Sequence, residues 1–351
     1  MTSQASTPVS ALRLLRRPGL TAPFGVLLVC LIVFWLAENL YKTPSDFYAN
    51  LIFGATNGML YGLIAIGYTL VYGILELINF AHGDVFMLGG MLTATLVTSL
   101  TLAAGSAWYV LWPGILLLLL AVATFCATLN ASIERVAYRR LRNAPRLAPL
   151  ITAIGMSFIL QNVGLIWKGA RPVSVNSILP TGAVFTIGGV SYTWNEFFVF
   201  LVTVPVLTTL TFLVKRTRRG KAMRATAQDR EAAAMMGIDV DGTISFTFVL
   251  AGALAGIAGV VFALYNTNLS FLTGFRTGLI AFTAAVLGGI GNLPGAVLGA
   301  MLIGLLEGFC DGLPWHSPGS QWTEAVIFTI LILILVLRPE GLLGERSPEG
   351  A

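Results

Sequence analysis

Ile115-Leu116-Leu117-Leu118-Leu119-Leu120-Ala121-Val122-Ala123-Thr124-Phe125-Cys126-Ala127-Thr128 would be apolar on every side of a helix. A helix on the surface of a soluble domain keeps a polar face, and a membrane strand alternates in polarity; this run does neither. Extended on both sides it reaches the roughly 20 residues that carry a helix across a hydrocarbon core of about 30 Å. Ala325 to Leu337 reads the same way, and apolar runs recur from Pro23 to Leu337. Hydrophobic residues are 56% and charged residues 11% of the 351, with a mean hydropathy of +0.83. That composition excludes an ordinary water-soluble domain. The expectation is one all-α polytopic membrane domain.

Ten apolar segments follow, at approximately 23–41, 49–72, 84–103, 113–133, 149–168, 195–214, 244–265, 277–292, 294–310 and 323–337. Lysine and arginine in short loops stay on the cytoplasmic side. Arg13, Arg16 and Arg17 precede the first segment. Arg135, Arg139, Arg140, Arg142 and Arg146 follow the fourth, and Lys215, Arg216, Arg218, Arg219, Lys221, Arg224 and Arg230 follow the sixth. All three clusters fall on one side, while the opposite loops hold only Lys42, Lys168, Arg171 and Arg276. The net charge of +5 is thus explained by topology rather than by nucleic acid. Both termini are expected in the cytoplasm: a tail over 1–22, a transmembrane domain over 23–337 and a second tail over 338–351. The basic-then-apolar start resembles a signal peptide, but the run is too long and Glu38, Asn39 and Tyr41 offer no small-residue cleavage site. A retained first span is expected. Cys30, Cys126 and Cys310 lack zinc or disulfide spacing and read as buried, inert thiols, and no metal site is expected.

Gly278 to Gly308 carries a single ionisable residue, Glu307, and is much too long for one straight span. It must break at Gly288-Gly289-Ile290-Gly291-Asn292-Leu293-Pro294-Gly295, where glycine tolerates unusual dihedrals and proline lacks an N–H. Backbone freed at membrane depth is tolerated only inside protein or beside a wet cavity, so Gly289, Gly291 and Asn292 are candidates for the pathway. A second break lies at Glu76-Leu77-Ile78-Asn79-Phe80-Ala81-His82-Gly83-Asp84. Paired broken segments point to a transporter's binding region. Glu76, Asn79, His82 and Asp84 therefore read in two ways. They line a solute pathway or its cytoplasmic gate, or Asn79 and His82 cap orphan backbone groups while Asp84 starts a helix. Glu307 is either a pathway acid or an acid solvated near a span's end. Gln161 and Asn162 are expected to bond neighbouring helices, and Gly252, Gly256 and Gly259 to allow close packing. Trp108, Trp112, Trp194 and Trp322 are expected at the outer headgroup level.

The loop over 215–243 starts basic and turns amphipathic. Lys221 to Met236 is predicted as one helix with an apolar stripe of Met223, Ala227, Ala234 and Met235, stopped by Gly237. Such a helix either docks on a partner or lies against anionic headgroups. Here Glu231-Ala232-Ala233, three residues and Gly237 reproduce the Glu-Ala-Ala-x-x-x-Gly core of the cytoplasmic loop of ABC importer permeases; the family's following Ile-x-Leu-Pro is missing. Further stretches carry the likeness: Ala65-Ile66-Gly67-Tyr68-Thr69-Leu70-Val71-Tyr72-Gly73-Ile74, Ile78 to Asp84, Ile133-Glu134-Arg135-Val136-Ala137-Tyr138-Arg139 and Ala281 to Gly291. Over nearly the whole chain after residue 48 it resembles the H-type permease of branched-chain amino-acid ABC importers.

The resemblance implies an ABC importer permease fold in a bacterial cytoplasmic membrane. It also implies a second related permease, two cytoplasmic ATPases, an extracytoplasmic solute-binding protein and an amino-acid substrate. In that family the loop helix docks on the ATPase, so Arg224, Asp229, Glu231, Ala232, Ala233 and Gly237 are the expected coupling residues. No Gly-x-x-x-x-Gly-Lys-Ser/Thr loop occurs, since Gly220-Lys221 is followed by alanine, so ATP and magnesium belong to the partners and no cofactor to this chain. An enzyme is not expected. His82 with Asp84 is the only close histidine–carboxylate pair, and no glycine-framed serine accompanies it. Importers similar to this one also handle urea, short amides and aromatic acids, and broken spans also serve ion-coupled carriers.

Overall fold

The computed structural model describes residues 21–75, 78–100, 107–141, 144–145, 147–187, 189–337 and 340–344; the side chains of 21–29, 187 and 337 fall outside the description. Among the described residues the long helices are α1 (Thr21–Lys42), α2 (Pro44–Leu75), α3 (Ala81–Ser99), α4 (Trp108–Ile133), α5 (Leu147–Lys168) and α6 (Trp194–Arg216). Short helices α7 (Arg218–Gln228) and α8 (Arg230–Met235) lead to α9 (Val240–Asn266), α10 (Thr273–Gly288), α11 (Leu293–Gly312) and α12 (Ser320–Leu337). A π turn, Glu134–Tyr138, and a 3-10 turn, Arg139–Leu141, prolong α4. Each apolar segment drawn from the sequence coincides with one long helix. Six of them, α2, α4, α5, α6, α9 and α11, are long and apolar enough to cross a membrane, while α10 and α12 are apolar but shorter. The chain is a multi-pass membrane protein.

Burial separates the helices into centre and rim. Within the most apolar stretch of each, 83% of α2 and 72% of α9 is buried, against 28% for α4, α5 and α6. The rim helices turn side chains such as Leu116, Leu117 and Leu120 outward, where lipid would replace protein. The most extensive pairings are α2 with α11 and α9 with α4. Both depend on residues without bulk. A Cβ on Gly304 would strike the backbone of Gly58, and one on Gly256 would lie 2.7 Å from the Val122 carbonyl oxygen. Gly252 and Gly256 face α4 and Gly259 faces α3, which is the close packing expected of that glycine face.

Two expectations need correction, those for Cys30 and Asn162. The all-α expectation holds, with strands only in loops among the described residues, where β1 (Val173–Ser174) pairs antiparallel with β4 (Asn268–Leu269) and β2 (Ala183–Ile187) with β3 (Val190–Thr193). These strands are short, and they sit in the loops between α5 and α6 and between α9 and α10. Cys30 is exposed, whereas Cys126 and Cys310 are buried. Asn162 bonds the Phe158 carbonyl of its own helix at 2.8 Å rather than a neighbour.

The break at 288–295 is present as predicted. α10 ends at Gly288, Gly289 takes φ +106 and Gly291 φ +95, and Asn292 caps α11 by accepting the Gly295 N–H at 3.1 Å. α10 and α11 then fold back on each other as a hairpin, with Gly299 against the Ala284 carbonyl.

Candidate functional site

The end of the bundle holding Arg135, Arg139 and the loop after α6 is drawn together by side chains. Arg139 pairs with Asp241 at 3.1 Å, joining the end of α4 to the start of α9. Arg230 donates to the Ile74 carbonyl at 2.8 Å, placing a guanidinium on the last turn of α2, where helix carbonyls lack partners. Arg224 donates likewise to the Val214 carbonyl near the end of α6.

The expected single helix over 221–236 is two helices. Asp229 has φ −155 and ψ 115, which ends α7, and its Oδ1 accepts the Ala232 N–H at 2.9 Å, which starts α8. α8 stops where Gly237, at φ +81, donates to Ala234 and Ile238 donates to Ala233, a Schellman closure. The apolar stripe splits accordingly. Of its expected residues Met223 is buried and Ala227, Ala234 and Met235 are exposed, while Ala233, outside the stripe, is buried. Met235 and Met236 are 81% and 83% exposed, a flexible apolar pair at the tip of the segment.

Above this end lies the start of α3. Its first turn packs against Gly67 and Tyr68 of α2, about 12 Å back along α2 from Leu75 at 1.5 Å per residue. α3 therefore begins inside the bundle, not at its end. His82 and Asp84 are fully buried and Asn79 nearly so. Of the capping reading, the Asp84 part holds, since Asp84 lies in the first turn of α3, but Asn79 and His82 do not cap it: Phe80 occupies the cap position and no side chain caps the helix. Asn79 Oδ1 instead accepts from the Tyr138 hydroxyl at 2.8 Å, and Asp84 Oδ2 accepts from Ser157 at 2.5 Å, itself bonded by Gln161 at 3.0 Å. The imidazole of His82 stacks edge-on to Tyr68 with ring centres 4.8 Å apart. It lies beside the Ile64 carbonyl, yet neither ring nitrogen makes a hydrogen bond of normal geometry among the described residues. Asp84 Oδ1 and Asn79 Nδ2 are likewise unpartnered there. His82 and Asp84 thus serve different neighbours and form no relay. Glu76 lies outside the described residues.

The other candidates fall elsewhere. Gly289, Gly291 and Asn292 form the α10–α11 turn, on which residues 340–344 are seated: Leu342 donates to Leu287, Leu343 to Gly288, and Asn292 Nδ2 to the Leu343 carbonyl at 2.8 Å. Glu307 lines a cavity of about 480 Å³ among α2, α9, α10, α11 and α12. It accepts from the Tyr61 hydroxyl at 2.7 Å and from Asn57 at 3.2 Å. Sequence reasoning missed Tyr61, Asn57, Tyr138 and Ser157. Asn57 and Tyr61 stand four residues apart on one helical face, which was the available signal. Among the described residues no group of His, Cys, Asp and Glu is arranged to hold a metal ion.

A family model described as "Branched-chain amino acid transport system / permease component" matches residues 50–336. The chain is similar to the high-affinity branched-chain amino acid transport system permease protein BraD of Pseudomonas aeruginosa, with 40% identity over 309 residues, 86% of this chain and 96% of that one. It is similar to LivH of Escherichia coli (strain K12), of the same description, at 37% over 302 residues, 84% and 95% of the two chains. A more distant likeness, 25% over 201 residues and 55% of each chain, is to the fructose import permease protein FrcC of Rhizobium meliloti. No solved structure matches the chain.

Proposed function

This chain belongs to the family of branched-chain amino acid transport system permease components, and on that premise we propose that it is the transmembrane permease of an ATP-driven importer for branched-chain or other apolar amino acids. It forms half of the translocation pathway, with a second related permease as the other half. Its helices make ten crossings of a bacterial cytoplasmic membrane, with both tails in the cytoplasm. Two cytoplasmic ATPases bind ATP and magnesium and dock on α7 and α8, and an extracytoplasmic protein delivers the solute. The match over residues 50–336 carries this reading, because it takes in the proposed coupling segment as well as the spans after α1. The exposed Met235 and Met236 beside Glu231 and Gly237 suit a protein partner better than water.

The buried Asn79, His82 and Asp84 cluster serves as the inner gate in this reading. It lies at the start of a broken helix, is only partly satisfied, and is tied through α2 to the coupling segment. The likeness to the fructose import permease over 55% of each chain favours keeping a different small solute as the second reading for substrate.

The test is to solubilise the tagged chain from its own membranes, identify its companions by mass spectrometry, and measure ATP hydrolysis and uptake after reconstitution. Co-purification of ATPases and a second permease, with leucine uptake driven by ATP, is the expected result. A chain recovered alone and without ATPase activity would turn the assignment to an ion-coupled carrier.

A further inference from the structure

The cavity beside Glu307 has a charge balance that family membership leaves unexplained. Its charged lining residues are Glu307, Asp311, Glu324 and Arg276, three acids against one base. Arg276 is engaged through Nε by Glu324, and among the described residues Asp311 takes only the Thr323 hydroxyl. The two donors to Glu307, Tyr61 and Asn57, are both neutral and both land on Oε2. They orient the carboxylate without cancelling its charge, and Oε1 takes no hydrogen bond among the described residues. Among the described residues Arg276 is the one cation of the cavity that acts on Glu307, and it is already engaged by Glu324, so the lining keeps an excess of negative charge that a cation from outside would offset.

The walls narrow the kind of cation. Leu60, Ile280 and Ile327, all 5% exposed or less, stand in the same cavity, so its occupant presents apolar surface as well as charge. Arg276 has N–H groups beyond the one given to Glu324, and a guanidinium offers them as a planar fork to a carboxylate. A carboxylate for an ammonium group, a guanidinium for a carboxylate and an apolar wall between them describe a zwitterionic amino acid with an apolar side chain. A volume of about 480 Å³ is in the range of single small-ligand pockets.

We propose that Glu307, held by Tyr61 and Asn57, binds the α-ammonium group of the transported amino acid in this cavity, with Arg276 toward its carboxylate. The inference rests on the amino-acid importer reading and deepens it by naming the groups that recognise the substrate. It also separates this cavity from the His82 cluster, which lies across α10, where Gly274 and Gly278 face Gly83 while Thr277 and Ile280 face the cavity.

The test uses the complex isolated with its companion subunits in lipid nanodiscs and saturation-transfer NMR, which detects weak binding. The probes are L-leucine and 4-methylpentanoate, which keeps the carboxylate and the apolar chain but lacks the ammonium group. Glu307→Gln should weaken leucine binding about tenfold or more, the effect of one charge-assisted hydrogen bond, and leave 4-methylpentanoate unchanged. Should that variant fail to assemble, Tyr61→Phe keeps packing and charge while freeing the carboxylate, and should weaken leucine alone by several-fold. Equal changes for both probes, or none for leucine, overturn the ammonium site, as does competition by sodium that N-methylglucamine at equal ionic strength does not reproduce. A wild-type complex that takes up urea or acetamide and gives no signal with any amino acid overturns the amino-acid reading of the importer, a result distinct from a wild type that binds leucine and a Glu307→Gln variant that binds it equally.

Discussion

A methyl group at residue 67 would fall on the imidazole of His82, which is already boxed in by Tyr68. Gly67→Ala should therefore cost about 1–3 kcal/mol through overpacking, read as a lowered unfolding midpoint of the solubilised protein. His82→Ala in the same chain should recover much of that loss, and additive effects of the two changes would show that the ring does not fill the recess. Gly237 is needed for the opposite reason. Nothing lies within 4 Å of a Cβ there, but φ is +81, so the constraint is backbone and not space. Gly237→Asn should retain coupled transport, whereas Gly237→Val, strained by about 1–2 kcal/mol, should let ATP hydrolysis run without uptake. Equal uptake-to-hydrolysis ratios in the two variants would remove the αL turn from the mechanism. At this scale the ionisable residues were legible, because Glu307 stands alone in an apolar run and His82 and Asp84 lie together in a polar break between two such runs. Their partners were not, since Tyr61 meets Glu307 from 246 positions away and Ser157 meets Asp84 from 73. Only tertiary packing brings them together.

The segment over 215–243, proposed to couple to the ATPase, reads differently as an element. Good helix formers from Lys221 to Met236 suggest one continuous helix, yet Asp229 supplies a cap that competes with continuation and wins. That signal was in the sequence, outweighed by propensity. The Gly/Pro break before α11 was read correctly because no competing preference existed there. The β2–β3 hairpin was passed over, although Gly188-Gly189 between two β-branched, aromatic runs is a recognised turn signal. The consequence of the split helix is leverage: α8 is a separate short rod, capped at both ends, whose Arg230 grips the last turn of α2. Arg230→Ala should change stability by only about 0.3–1 kcal/mol, the value of a charge at a helix end. Its larger effect should be on coupling, seen in proteoliposomes as ATP hydrolysis retained while uptake per ATP falls. Hydrolysis and uptake falling in parallel would assign Arg230 to docking or assembly and leave motion to pass by another route.

For the molecule as a whole, the distribution of burial and the distribution of charge are independent, and both suit the proposed orientation. α2 and α9 are enclosed by the rest, and α4, α5 and α6 carry the apolar rim, so the proposed orientation sets the bundle axis along the membrane normal. Along that axis the basic residues collect at one end, where Arg139 meets Asp241 and Arg230 meets Ile74. Trp108, Trp194 and Trp322 begin α4, α6 and α12 at the other. Apolar length made the helices legible from sequence, and the basic clusters supply their proposed direction, but which helices are central depends on small residues on both partners and was not legible. The orientation has a direct check. In a chain with Cys30→Ser, a cysteine at exposed Ser191 in β3 should react with a membrane-impermeant maleimide on intact spheroplasts. A cysteine at exposed Met236 should react only after the membrane is opened. The buried Cys126 and Cys310 give a low background in both cases. The reverse pattern would invert the bundle, put α7 and α8 out of reach of any cytoplasmic ATPase, and leave the basic clusters without a topological cause.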